Sequence, residues 1–376
     1  MILTLAIRNL LHDRMRLVVT LVGILFSIVL VAVQLGLFLG ARKMIIAMIE
    51  NARGELWVAA FGAKSFEEGG ILLTPREQHD ALATPGVGKV VPLVVSFAEW
   101  RKPGGGSTNS VIVGADPEDG GLAPWGVVEG SITLLSAPDA VAVDRTYLDD
   151  LGVEGIGDTA QVETGRVKVR ILTSGIRSFT TAPYVFTTLE RARALLGVAG
   201  ENSSFFLIEI EPGTDVEAVR RELSARLPNT EVLTRAEFRD RCLDQWLFST
   251  GAGVALICGA VLGLVVGTVI VAQTLYSSTK DHLIEFATLR ALGSSSGYIH
   301  KVILAQAGLS AVIGYALGMV IALVIVRVSA DTPLPIVMTP GLAAALFILT
   351  LLMCAISALS AIMKVMRIDP AMVFIR

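Results

Sequence analysis

Apolar positions follow two regimes along the 376-residue chain. Four stretches, 17–40, 247–275, 302–326 and 341–363, are almost continuously apolar and hold no charged residue in their central portions. A helix rising 1.5 Å per residue needs about 20 such residues to cross hydrocarbon, so each reads as a transmembrane helix. Residues 41–246 instead alternate short apolar runs with polar, Gly- and Pro-containing breaks. The expected fold class is four transmembrane α-helices with a large α+β extracytoplasmic domain inserted between helices 1 and 2. Residues 1–16 place Leu3, Ala6, Ile7, Leu10 and Leu11 on one helical face and Arg8, His12, Asp13 and Arg16 elsewhere. That pattern predicts an amphipathic helix on the inner leaflet. The first apolar run is too long for a signal-peptide core and no A-x-A site follows it, so it reads as an uncleaved anchor.

Within 41–246 the pattern predicts two strand–helix–strand units. "SSFFLIEIEPGTDVEAVRRELSARLPNTEVLT" gives a strand, a helix over 215–227 opened by Thr214, and a strand. "GELWVAAFGA", "TPREQHDALA" and "VGKVVPLVVSFAEW" repeat that order, with Thr74 and Pro75 opening the helix. One α+β module built from both ends of the domain follows, with a second, β-rich lobe inserted over about 102–200. "PGGGSTNS" has the composition of a hairpin tip and lacks the GK[ST] of a phosphate-binding loop. "ARKMIIAMIENARG" continues the first span helically to Gly54, and "RAEFRDRCLDQWLF" is expected to enter the second span unbroken.

Lys and Arg in the short flanks set the orientation. Arg8, Arg14 and Arg16, then Lys280, Arg290 and Lys301, then Lys364, Arg367 and Arg376 put 1–16, 276–301 and 364–376 in the cytoplasm. Segments 41–246 and 327–340 then lie outside a cytoplasmic (inner) membrane. Arg42 and Lys43 oppose this, but they begin a long domain, where the rule weighs little.

Composition agrees: 53% of residues are hydrophobic and 17% charged, against about a quarter charged in soluble domains. A net charge of −3 without a basic run gives no argument for nucleic acid. Cys242, Cys258 and Cys354 are far apart and the four histidines are scattered, so neither a disulfide framework nor a metal site is expected. No G-x-x-x-x-G-K-[ST] occurs, and no Ser/His/Asp or Cys/His set assembles. Polar residues inside the spans (Gln34, Thr268, Gln273, Gln306) are few and neutral, which disfavours an ion-coupled transporter. Small residues recur every fourth position at Ala255, Gly259, Gly263 and Gly267, and again at Gly314 and Gly318, a spacing that lets helix backbones approach closely.

This layout, with its motifs in order, resembles the MacB/FtsX-type permeases, the type VII ABC transporters. "EFATLRALGSSSGYIHKVILAQAG" is similar to the family's signature between the second and third spans. "DAVAVDRTYLDDLGVEGIGDTAQV", ending in Gly157 and Asp158, resembles a stretch of its outside domain, and "MRIDPAMVFIR" its basic C-terminus. "VQLGLFLGARK" most resembles the DevC-type permeases, which work with a separate ATPase and a HlyD-like membrane fusion protein. Heme-export and lipoprotein-releasing permeases are close alternatives, and FtsX itself matches less well. The resemblance implies a non-catalytic homodimer in membrane lipid with two ATPase subunits, ATP and Mg²⁺ on those partners and no cofactor on this chain. Only sixteen residues precede the first span, so the ATPase is expected in trans. It also implies a coupling helix received by the ATPase, with Asp281, Glu285, Thr288, Leu289 and Leu292 seating it and Arg290 facing an acidic partner. The implied function is an ATP-driven exporter or extractor working by mechanotransmission. The alternative is a non-transporting FtsX-like regulator that activates an extracytoplasmic partner. A receptor finds no room for an output domain in the short cytoplasmic segments.

Overall fold

Helix α1 (Arg14–Asn51) runs unbroken for 38 residues, about 57 Å at 1.5 Å per residue and nearly twice the ~30 Å of bilayer hydrocarbon. The computed structural model describes residues 13–281 and 296–365, together with 4, 6–8, 10 and 288. Two compact units emerge: Gly40–Gly253 with Asp331–Leu334, and Met1–Leu39 with Val254–Ala330 and Pro335–Arg376. The division falls inside α1, which supplies residues to both. Of the expected N-terminal helix, the described residues 4, 6–8 and 10 are helical, with Ala6 buried and Ile7 and Arg8 exposed. Leu3, Leu11 and His12 lie outside the described residues.

In the inserted domain the strand β1 (Leu56–Ala60) is buried along its whole length. Helix α2 (Pro75–Leu82) and the 15-residue strand β2 (Val87–Arg101) follow. The second lobe holds β3 (Ser107–Gly114), β4 (Val127–Glu129), β5 (Ala140–Asp144), β6 (Thr159–Val162), β7 (Gly165–Thr173), β8 (Tyr184–Thr187) and helix α3 (Leu189–Leu196). The chain then returns through β9 (Phe205–Ile210), α4 (Val216–Arg226), β10 (Thr230–Thr234) and α5 (Arg235–Leu243).

β1 lies between β9 and β10, with Leu56 opposite both Ile208 and Thr234. β2 is shared: from Val87 to Leu93 it pairs with β9, and from Val94 to Arg101 with β3. The first module is therefore built from both ends of the domain. Its core joins Leu56, Val58, Phe206 and Ile208 of the strands to Ala81 of α2 and Val219 and Leu223 of α4. The second lobe runs β3-β8-β5-β7-β4, with β6 on β2 and β7, and takes in the second half of β2 beyond the expected 102–200. Leu189, Ala192 and Leu195 of α3 pack on Ile112, Val141 and Val169 there.

Two local expectations are corrected. Asp215, not Thr214, caps α4: its carboxylate accepts the Glu217 N–H at 3.2 Å. A carboxylate in that extended residue reaches the free amides of the first turn directly. The entry to the second span is also broken. After α5 the chain makes a π-type turn over Asp244–Ser249 and then leaves the helix at Thr250 and Gly251. Gly251 takes φ +79°, a left-handed conformation that glycine adopts without a Cβ clash.

The other unit joins the first part of α1 to α6 (Ala252–Asp281), α7 (Ser296–Ser329) and α8 (Pro340–Val365). All four helices are long and apolar enough to cross a membrane. Ile24 and Ile28 of α1, Val271 and Leu275 of α6, Ala307 and Ala311 of α7, and Met353 and Ala358 of α8 form their common core. Val261, Leu262, Val265 and Val269, then Val320, Leu323 and Val324, are exposed. Apolar faces of that extent need hydrocarbon as their solvent. The chain is a multi-pass membrane protein.

Candidate functional site

Close helix contact in the bundle is set by the glycines. A Cβ on Gly259 would come 2.8 Å from the Gln34 side chain, and one on Gly263 3.0 Å from Leu30. On Gly267 it would collide with Ser27 and Met353, on Gly314 it would lie 2.5 Å from Ile24, and on Gly318 3.1 Å from Ile28. Glycines of α6 and of α7 thus both receive α1. The Ser27 hydroxyl donates to the Gly263 carbonyl at 2.9 Å, and the Ser357 hydroxyl to Thr268 O at 2.9 Å. Ala255, at the end of the ridge, is exposed.

Asp281 is the last residue of α6. Its carboxylate pairs with the Arg16 guanidinium, which also meets Asp13 at 2.9 Å and donates to Ser277 O at 3.3 Å. Thr288 is helical and exposed. Glu285, Leu289, Arg290 and Leu292 lie outside the described residues. Beside Arg16 a cavity of about 20 Å³ is lined by Asp13, Thr20, Ser278, Gln306 and Ser310. The buried Ser310 hydroxyl has no protein partner, and the room matches one water molecule.

In the inserted domain the polar knots are structural. Asp144, buried, accepts the Thr146 and Ile176 N–H groups at 3.0 and 2.8 Å. Asp158 accepts Glu154 N–H at 2.7 Å and closes the turn carrying Gly157. An open cavity of about 620 Å³ is lined by Asp116, Glu118, Asp119 and Glu190. Two of these acids are engaged: Asp116 accepts Leu189 N–H at 3.1 Å and Asp119 pairs with Lys89 at 3.0 Å. Among the described residues no three His, Cys, Asp or Glu side chains come together to hold a metal.

One buried acid has no counterpart in the sequence-based expectations. Glu67, on the 61–72 strap between β1 and α2, accepts from the Tyr184 hydroxyl and from Trp246 Nε1–H at 3.0 Å. Burial, then the nearby Glu67 charge, pushes the Tyr184 hydroxyl well above the usual phenol range. Burial and the same carboxylate push the Cys242 thiol up. The strap also holds Lys64 and Glu68, so no sequence signal singles out Glu67.

Four helices long and apolar enough to cross a membrane, with one α+β domain after the first, define a polytopic membrane protein with a large inserted domain. The MacB-like periplasmic core domain family matches residues 17–226, and the FtsX-like permease C-terminal family matches 257–370. The chain belongs to the MacB/FtsX-type ABC transporter permeases, and its inserted domain is their extracytoplasmic domain. An uncharacterized ABC transporter permease of Mycobacterium tuberculosis is 25% identical over 371 residues, covering 98% of either chain. One of Mycobacterium bovis is 26% identical over 376 residues with the same coverage. The periplasmic region of MacB from Actinobacillus actinomycetemcomitans matches with TM-score 0.38 and 10% identity, over 51% of this chain and 94% of its own. The extracellular domain of the transporter YknZ from Gram-positive bacteria matches with TM-score 0.35 and 14% identity, over 48% and 99%.

Proposed function

We propose that this permease is the membrane subunit of an ATP-driven exporter or extractor that works as a homodimer. Two copies of a separate ABC ATPase bind it from the cytoplasm and carry ATP and Mg²⁺. The stroke passes mechanically from the bundle to the extracytoplasmic domain, where substrate is handled, with a HlyD-like adaptor as a further partner. The observation that carries this reading is the unbroken α1, whose residues belong to both units. A helix transmits a shift along its axis with little loss, whereas a loop absorbs it. The neutral, sparse polar content of the spans supports it too, because a polar path for substrate would need more.

The test lies in the 281–292 segment. In a helix over 281–292, Leu289 and Leu292, at i and i+3, would offer one apolar edge, with Glu285 a turn earlier at its rim. Truncating an apolar anchor in an interface costs about 2 kcal/mol, and an exposed charge well under that. At matched permease levels Leu289→Ala should co-purify markedly less ATPase than Glu285→Ala. Full retention of the ATPase by both variants would remove the coupling helix from the proposal.

A further inference from the structure

We infer that Glu67 is a positioning residue of the transport stroke, a buried clamp that ties the root of the second span to the β-rich lobe. This rests on the mechanical reading proposed above. Three parts of the domain converge on its carboxylate. The strap 61–72 is anchored by Phe66, stacked on Phe205, and by Gly69, which leaves no space for a side chain beside Phe205. Tyr184 opens β8 in the second lobe. Trp246 sits in the π-type turn, five residues before Gly251 and six before α6 begins. Phe179, on the segment between β7 and β8, packs edge-on against the Trp246 ring at 6.1 Å. The same segment holds Thr181 at φ +61°, a conformation that a β-branched residue adopts only when its surroundings impose it.

The arrangement suits transmission for a chemical reason. Each carboxylate oxygen takes one neutral donor, so neither the indole nor the phenol can shift without leaving a buried group unpaired. π-type turns concentrate at functional positions in helices, and this one is tied to the residues that lead into α6 by Thr250 N–H to Gln245 O at 3.1 Å and Gly251 N–H to Phe248 O at 3.0 Å. A tilt of α6 therefore reaches Trp246 first, Glu67 next, and β8 through Tyr184.

Hydrogen exchange on the permease–ATPase complex in nanodiscs, with and without ATP plus vanadate, tests this without a known substrate. In the native protein the nucleotide should change exchange both in 235–249 and in 174–187. Glu67→Ala removes both bonds; it should keep the response in 235–249 and reduce it about fivefold in 174–187, the effect of losing the Tyr184 bond there. Trp246→Phe removes the N–H while keeping the ring against Phe179, and should act alike if both variants fold. Glu67→Gln should retain the response, because its carbonyl still accepts from Trp246 and the Tyr184 hydroxyl can turn to accept from the amide. A merely structural Glu67 would raise exchange equally with and without nucleotide. An undiminished nucleotide response of 174–187 in both Glu67→Ala and Trp246→Phe overturns the inference. No response of 235–249 in the native complex overturns the mechanical reading, and this inference with it.

Discussion

Gly267 shows what the four-residue spacing in α6 is for. A side chain there would collide with Ser27 and Met353, two residues on two other helices. Overpacking of this kind costs about 1–3 kcal/mol, so Gly267→Leu should lower the thermal unfolding midpoint of the purified permease by several degrees. Ala255→Leu adds the same bulk at an exposed position and should change stability by no more than about 0.5 kcal/mol. Equal losses at the two sites would mean that the ridge is not set against α1. The spacing of these residues was legible in the sequence, and their partner was not, because a one-dimensional period says nothing of which helix fills the groove. Glu67 was illegible for a related reason. Glu68 beside it is half-buried with no contact to Trp246 or Tyr184 among its hydrogen bonds, and nothing local distinguishes the two.

Helices and strands were the most legible level, with the four spans and both strand–helix–strand units appearing where hydropathy and turn residues put them. Errors cluster at element ends, where a single hydrogen bond decides. Asp215→Ala should destabilise the domain by about 1 kcal/mol, the usual worth of an N-cap, while Thr214→Ala should be close to neutral. Urea unfolding of the two variants separates them, and the reverse ranking would return the cap to Thr214. The break before α6 was missed because "WLFSTGAG" passes from apolar into small residues with no Pro and no charge, although Ser249, Thr250 and Gly251 together are a turn signal. Apolarity reports burial or lipid, and backbone continuity is a separate matter. α1 and α6 consequently differ at the domain end: α1 runs as continuous helix to Asn51, whereas a π-type turn and a glycine precede α6.

For the whole molecule, orientation is the property on which the proposed mechanism depends most. With the charge asymmetry of the short flanks as guide, a cysteine replacing Ser107 at the β2–β3 hairpin should react with an impermeant maleimide in intact cells. One replacing Ser295 should react only after the membrane is opened. The opposite labelling would reverse the protein and detach 281–292 from any cytoplasmic ATPase. The architecture also has a consequence for biogenesis. β1 is the first strand made, yet its partners are β9 and β10, with Leu56 waiting for Ile208 and Thr234. At about 5–20 residues per second of synthesis, the chain spends roughly ten to thirty seconds with β1 unpaired on both edges. Such long-range closure folds slowly and leaves strand edges open to aggregation. The anchoring span ahead of it holds the nascent strand at the bilayer during that wait, so truncation before β9 yields an anchored fragment with two naked strand edges, a substrate for quality-control proteolysis.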